Sequence, residues 1–395
     1  MILMSDELDD LIIESNKEQV ESSIEDIDVG ELVVYSRDWT VQTILHQIEE
    51  GNIDLNPDFQ RRNVWDNDKR SKLIESLLVG YPVPEVVLAE VIGEKKKYMV
   101  IDGKQRLLAI NGFINPDFDT WDNSAKLKNL TIKKSIEGLH FEGFSKDDSR
   151  YLLNADLRCT ILSGFKDYSV LYDIFYRLNT GSSPLSMQEL RNSIYKGDFS
   201  NSITRHTDND LPLHKIMKLK SSDKRYRDVE IILKFLALNL NPEKYNGSLR
   251  VYLDNFTRYM NDNFASKDEE ISNSVGVFND ACQLLVELFD GDEKKVGRKW
   301  LPLENRWESR FNRTFFEVLV NYVANTIENG HEADLIAKKD DFIKAIKSLF
   351  DNTAFVVAIE STTTGKEQHV KRFTLSYDKL NQSLGLSNKI PSTLR

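Results

Sequence analysis

Cysteine is nearly absent: Cys159 and Cys282 are the only two in 395 residues. Two thiols this far apart form neither a disulfide framework nor a CxxC metal site. Both read as reduced core residues of a cytosolic protein. Long apolar runs are missing too, and no stretch reaches the roughly 18 residues expected of a membrane-spanning helix. The N-terminus opens Met1-Ile2-Leu3-Met4 and turns acidic at once, the reverse of a secretory signal's charge order. What remains is ordinary for a soluble globular protein, with 40% hydrophobic and 29% charged residues. That excludes collagen-like, fibrous and wholly disordered classes. The length suits two or three domains with at least one large core.

Several catalytic signatures are also lacking. Gly365-Lys366 is not a P-loop, because position 360 is Glu and Glu367 stands where Ser or Thr is needed. There is no GxGxxG dinucleotide fingerprint and no GxSxG elbow. The six histidines, His46, His140, His206, His214, His331 and His369, are scattered. They fit neither HExxH nor a zinc pattern, nor the paired block of an HNH nuclease, and none is assigned a role.

The net charge of −11 is unevenly placed. Residues 1–31 hold eleven Asp or Glu and one Lys, which leaves the rest of the chain close to neutral. Segment Ser5–Glu31 has no aromatic residue and reads as a mobile acidic tail. It either solubilises the protein or shields a basic cleft from nucleic acid. Neither tail nor total marks an obvious nucleic-acid binder.

Along the chain, Glu31–Ser36 predicts a first strand. Val41, Ile44, Leu45 and Ile48 recur at helical spacing up to Gly51. Asn52–Pro57 reads as extended, and Asp68–Gly80 as a second helix that Pro82 and Pro84 keep from continuing. Glu85–Glu90 and Lys97–Ile101 read as a strand pair, followed by a helix over Lys104–Phe113. Leu130–Lys134 and Leu157–Leu162 are further predicted strands, and Val170, Leu171, Ile174, Phe175 and Leu178 mark another helix. Asn179–Pro184 is a turn, and Ser186-Met187-Gln188-Glu189 a capping box. Beyond about residue 200 strand signals nearly vanish, and helices are expected around 227–240, 249–264, 269–289, 310–327, 341–350 and 375–384. The expected fold class is α+β: an acidic tail over 1–31, a mixed α/β domain over 32–200 and an all-helical domain over 201–395. Ser186–Lys196 could belong to either domain.

Three clusters could carry chemistry. In Val100-Ile101-Asp102-Gly103-Lys104-Gln105-Arg106 a strand hands over to a helix. Backbone N–H groups and the dipole make a helix N-terminus favourable for anions. Gly103 lets a phosphate approach the backbone, while Lys104 and Arg106 add positive charge. Asp102 would repel a phosphate unless Mg²⁺ sat between them. The same residues would equally serve as a helix cap, a tight turn and a solvent-facing polar trio. The second cluster is Asn56–Trp65, with Gln60, Arg61 and Arg62 ahead of a Trp that could pack or stack. The third joins Tyr176-Arg177-Leu178-Asn179-Thr180-Gly181 to Glu189-Leu190-Arg191-Asn192. There Arg177 and Arg191 could approach one cleft, or the segment could supply only turn and cap chemistry.

Taken together in this order, Gln60-Arg61 with Trp65, Ile74-Glu75-Ser76, Ile101–Arg106, Arg177–Gly181 and Glu189–Asn192 resemble one bacterial family, typified by the N-terminal domain of GmrSD-type modification-dependent restriction enzymes. The resemblance covers about residues 35–200. It implies a ParB/sulfiredoxin-like fold and nucleoside triphosphate binding, in some members hydrolysis, at a DGQQR motif whose first Gln is Lys104 here. Carried onto this chain, it implies catalytic roles for Asp102, Gln105 and Arg106. It implies phosphate contacts from Gln60, Arg61, Gly103, Lys104, Arg106, Asn179 and Arg191, with Mg²⁺ on Asp102. The HNH domain of the full enzymes has no recognisable counterpart here. Three readings stay open: an NTP-binding or NTP-hydrolysing defence component, a metal-dependent DNA nuclease, and a non-enzymatic module binding DNA or protein. DNA and a separately encoded nuclease or defence protein are the partners considered, and no membrane is expected.

Overall fold

The structure, a computed structural model, describes residues 32–55, 65–115, 121, 125–178, 186–360 and 365–395. Its chain divides into two compact units, Asp26–Pro184 and Leu185–Arg395. The acidic tail and the turn at 179–184 lie outside the described residues.

The first unit is mixed α+β. Its elements are β1 (Val33–Thr40), α1 (Val41–Glu49), β2 (Ile53–Asp54), α2 (Asn67–Val79), β3 (Val86–Val91), β4 (Glu94–Asp102), α3 (Lys104–Ile114), α4 (Lys146–Leu153), β5 (Asp156–Ser163) and α5 (Ser169–Leu178). The strands form one five-stranded sheet in the order β1-β5-β3-β4-β2. Pairing alternates along it: β1–β5 antiparallel, β5–β3 parallel, β3–β4 antiparallel and β4–β2 parallel. Alternate residues of each strand point to one face. Val86 and Leu88, Tyr98 and Val100, and Leu157, Cys159 and Ile161 thus pack on Ile74, Leu77, Leu107 and Leu108 of α2 and α3. Cys159 is a free thiol in this core, where burial pushes its pKa up to about 12.

Local signals set the helix ends. The side chains of Thr40 and Asp66 accept from Thr43 N–H and Lys69 N–H at the starts of α1 and α2. Gly80 closes α2 in the left-handed conformation.

The strand predicted over Leu130–Lys134 does not form. The N–H groups of Thr131, Ile132 and Lys133 all donate to the Glu75 carboxylate, at 2.6–3.0 Å. Successive N–H groups of a strand point in opposite directions, so three consecutive donors can converge on one acceptor only in a turn. Glu75 shares a face of α2 with Asn67 and Ser71, and Ser71 Oγ accepts from Lys128 N–H at 2.9 Å. One polar stripe of α2 therefore staples the loop that sequence periodicity reads as β.

The second unit is helical. It holds α6 (Met187–Ile194), α7 (Asp198–His206), α8 (Pro212–Ile216), α9 (Arg227–Leu240), α10 (Leu249–Asp262) and α11 (Phe264–Leu288), then α12 (Arg313–Glu328), α13 (Glu332–Ala337), α14 (Lys339–Leu349), α15 (Thr353–Glu360) and α16 (Lys366–Leu384). The capping box at Ser186 and Glu189 opens α6, which lies on the helical side of the division. The expectation of an all-helical region needs one correction. β6 (Arg298–Leu301) and β7 (Arg306–Phe311) form an antiparallel hairpin. Trp300 stacks edge-on against Trp307 across it, with ring centroids 5.2 Å apart. Gly297 precedes the hairpin at φ 68°, where a Cβ would come within 2.7 Å of the Phe311 ring. Such cross-strand pairing is tertiary and has no helical or alternating signature in a run this short.

Glu75 is 6% exposed. Burial pushes its pKa up, but the three backbone donors and Lys134 outweigh that and hold it below the usual 4.5. Its contribution is complete above pH 4.5 and is lost as pH falls through the lowered value. Glu75→Ala should cost about 3 kcal/mol, roughly two charge-assisted hydrogen bonds. Glu75→Gln should cost less and flatten the acid side of the stability curve. Urea denaturation from pH 7 to 3 reads both effects, and an unchanged acid slope in Glu75→Gln would refute the account.

Candidate functional site

The junction between β4 and α3 is where the strand register, the turn and the helix start come together. β4 ends at Asp102, Gly103 sits at φ 92°, and α3 starts at Lys104 with no side-chain cap. Asp102 does not cap the helix. Its Oδ2 instead accepts from Arg106 Nη2 at 2.7 Å, one helical turn on. The same Nη2 donates to the backbone carbonyl of Glu85 at 2.8 Å. Arg106 thus joins the first turn of α3, the end of β4 and the residue before β3. Its side chain is 13% exposed and that of Asp102 is 40% exposed.

Gly103 is required twice over. Its φ is in the left-handed region, and an added Cβ would lie 3.0 Å from Val86 Cγ2 and 3.2 Å from Arg106 Nη2. The close packing of Gly103 under β3 lets a single guanidinium reach both Asp102 and Glu85.

A polar strip continues from this junction across the sheet. The Glu85 carboxylate accepts from Thr160 Oγ1 at 2.7 Å, and Thr160 Oγ1 lies 3.0 Å from Ser36 Oγ. Thr160 pairs with Val87, and Val87 with Asp102, so these residues share one face of the sheet. Arg158, two residues before Thr160 on that face, donates to Asp38 at 3.1 Å. This hydrogen bond, with the Asp38 charge, pushes the pKa of the exposed Arg158 upward. Sequence reading missed Ser36, Glu85 and Thr160. Their only link is sheet order, which no local pattern carries.

The second cluster is met at one point. Trp65 N–H donates to Gln105 Oε1 at 3.3 Å, and Lys69 Nζ stands 5.9 Å from the Trp65 ring centre. Gln105, expected to be catalytic, therefore also holds the entry to α2 against α3. Gln60, Arg61 and Arg62 lie outside the described residues, as do Asn179 and Gly181.

The third cluster divides between the two units. Arg177 is exposed on α5 and bonds Asp173 at 3.0 Å. Arg191 belongs to the helical unit and is 0% exposed. Its Nε donates to Asp254 and its Nη1 to Gln188, each at 2.7 Å. In the same helix the Gln188 side chain donates to Asn192 at 2.7 Å, and Glu189 accepts from Ser186 N–H at 2.6 Å. The expected phosphate contact from Arg191 is thus replaced by a buried structural role: a phosphate would have to displace a carboxylate inside a helical core. Nothing local signals this, because Asp254 is 63 residues away.

Among the described residues no group of three His, Cys, Asp or Glu is arranged to hold a metal ion. A single carboxylate such as Asp102 fits an ion held mainly by phosphate oxygens and water, the usual manner of Mg²⁺. It does not fit an all-protein cage. No described helix is long and apolar enough to cross a membrane.

The first unit is thus an α+β domain with an uncapped, glycine-led helix N-terminus at the end of a sheet strand. Residues 41–196 match the family model of the GmrSD restriction endonuclease, N-terminal domain, and this segment is a domain of that family. The match crosses from the first unit into α6 of the second. The protein that this family model describes is a restriction endonuclease. No curated protein and no solved structure matches the chain.

Gly103→Ala should destabilise the protein by about 1–3 kcal/mol, from left-handed strain and the contact with Val86. Asp102→Asn should cost under about 1 kcal/mol, since its ion pair is partly exposed. Denaturant midpoints of the two variants test the ordering. Equal stability of Gly103→Ala and wild type would show that the turn is not constrained as described.

Proposed function

We propose that the N-terminal unit binds a nucleoside triphosphate with Mg²⁺ at the β4–α3 junction. In this reading the chain serves as a nucleotide-responsive component of a bacterial restriction or anti-phage system. The observation that carries the proposal is the uncapped start of α3 behind Gly103, flanked by Lys104 and Arg106. Backbone N–H groups, the helix dipole and two cations favour a phosphate at one point there. Membership of residues 41–196 in the GmrSD N-terminal family supports the setting. The finer assignment of the first unit to a ParB/sulfiredoxin-like fold belongs to the same proposal. Its support is the mixed sheet with the candidate motif at a strand–helix junction.

In this reading Lys104 is a phosphate contact. Arg106 has five N–H donors, of which Asp102 and Glu85 engage those of Nη2, and in this reading the outer part of its fork adds a phosphate contact. Asp102 holds the metal or orients water, and Gln105 orders the Trp65 side of the site. Gln60 and Arg61 close it from the segment before Trp65. A bound Mg²⁺ would supply positive charge between the Asp102 carboxylate and the phosphates. Hydrolysis is the further step of this reading, with water oriented by Asp102 or Gln105.

The nuclease reading has less support, since Asp102 is the lone carboxylate in the motif. A near-neutral body favours DNA engagement through a partner, such as a separately encoded nuclease or defence protein.

Isothermal titration of the full chain with ATP, GTP, CTP and UTP in Mg²⁺ tests the proposal. At least one should bind. Lys104→Ala should weaken it about tenfold or more, the worth of one charge-assisted hydrogen bond. Arg106→Ala should lower both affinity and melting temperature, because that side chain also holds the turn. Absence of binding by all four nucleotides to the wild-type chain would remove the proposal.

A further inference from the structure

The helical unit contains a cavity of about 380 Å³, within the size range of small-molecule sites. It lies where the end of β7 and the start of α12 face α9, α15 and α16. One wall is the N-terminus of α12. Asn312 caps that helix by accepting from Phe315 N–H at 2.8 Å, and Arg313 and Thr314 of the first turn line the cavity. α12 runs sixteen residues, so its dipole is fully developed at this end.

The second observation is independent. His369 of α16 lines the same cavity, is 2% exposed, and neither of its ring nitrogens makes a hydrogen bond. The nearest acceptor, Glu317 Oε2, is 3.5 Å from Nε2 and already receives Arg372 Nη2 at 2.9 Å. Burial, together with Arg372 and Lys234, holds the His369 pKa well below its usual value. The ring is therefore neutral near pH 7, with one donor and one acceptor nitrogen. A buried polar ring with neither nitrogen satisfied is costly unless something completes it.

Charge at the wall favours an anion. Lys234, Lys299, Arg310, Arg313 and Arg372 line the cavity, against Glu308, Glu317 and Glu360. The carboxylates are engaged: Glu317 by Arg372, and both Glu308 and Glu360 by Lys299 at 3.3 and 2.6 Å. Glu230, beneath the wall, bonds Lys234 at 2.9 Å and stands 3.8 Å from Arg313. The cations nearest the helix start, Arg310 and Arg313, thus sit beside N–H groups that also attract negative charge. Phe235, Phe311 and Phe316 supply an apolar side for the body of a ligand.

We propose that this cavity binds a small phosphomonoester carrying a ring, such as a nucleoside monophosphate or a sugar phosphate. Its phosphate lies at the start of α12 beside Arg313, and a polar group of its body meets His369. The site is separate from the β4–α3 junction and does not depend on the reading given for it.

Isothermal titration of the full chain with AMP, GMP, CMP, UMP, glucose 6-phosphate and inorganic phosphate tests the proposal. The variants are Arg313→Gln, His369→Gln and Arg106→Ala. A ring-bearing phosphomonoester should bind more tightly than inorganic phosphate, and the nucleotide and sugar arms identify its source. Arg313→Gln and His369→Gln should each weaken binding about tenfold, while Arg106→Ala leaves it unchanged. If His369→Gln does not fold, the partly exposed Arg313→Gln decides. The proposal is overturned if no probe binds at about 1 mM, the weak limit of specific recognition. It is also overturned if inorganic phosphate binds as well as any ester, or if binding survives Arg313→Gln and disappears in Arg106→Ala.

Discussion

The bond between Arg106 and its two acceptors is the constraint on which the N-terminal site rests. One guanidinium nitrogen holds the Asp102 carboxylate and the Glu85 carbonyl at once. That is geometrically possible only because Gly103 turns in the left-handed region and lies against Val86. The Glu85 side chain then reaches Thr160, and Thr160 meets Ser36. Three strands, β1, β5 and β4, and the residue that leads into β3 are thus connected through polar contacts on one sheet face. Arg106 consequently has two duties: it fixes the turn, and it brings positive charge to the uncapped helix start. A guanidinium can do both because its donors fan out in a fixed plane.

The helical unit solves a different problem, that of burying charge. Arg191 with Asp254, Arg227 with Asp223, and Glu230 with Lys234 are all shielded from water. Burial pushes the Glu230 carboxyl up, yet Lys234 and Arg313 outweigh it and bring its pKa down to about 2. Taking such groups out of water costs several kcal/mol per ion and is offset only by close partners. Removing one partner from such a pair is therefore more damaging than replacing both. Glu189–Asn192 shows the consequence. Residues that look like a ligand-binding motif in one dimension are the cap and the ion-pair partners of a core helix in three.

Much of the fold could be read from local chemistry. The strands β3, β4 and β5 stand out as apolar, β-branched segments, α1 and α2 through apolar residues at helical spacing that end at Gly51 and Gly80, and α6 through the Ser186–Glu189 box; the caps at Thr40 and Asp66 emerge only in the structure. The two errors have one cause. At 130–134 a β-like composition is overruled by the Glu75 carboxylate, and at 298–311 a hairpin is held by a pairing of two tryptophans. Each depends on a residue the local window does not weigh. The same rule divides the site residues. Asp102, Gly103 and Arg106 are close in sequence, so their nearness was legible, but nothing in the pattern specified the Asp102–Arg106 bond. Arg191 was misread because Asp254 decides its fate. His369 carried no signal at all, since an unsatisfied imidazole is a property of its surroundings and not of its sequence neighbours.

Charge placement also limits what the chain can do with nucleic acid. Binding to a phosphate backbone is driven by cations that release counterions, and its strength grows with their number. Here the acidic excess lies in residues 1–31 and the remainder is nearly balanced. Many of the cations in that remainder face carboxylates at short range: Arg106, Arg158, Arg191, Arg227, Lys234, Lys299 and Arg372 each have one within 3.3 Å. A cation already paired displaces few counterions when a phosphate arrives, and breaking its pair costs what the new contact returns. Sites of this kind suit small anions better than a long polyanion. They place both the helix start and nearby cations around one phosphate group, where a backbone N–H cluster contributes without releasing any ion. The sites proposed at the β4–α3 junction and in the helical cavity both have that arrangement, a helix start with cations beside it.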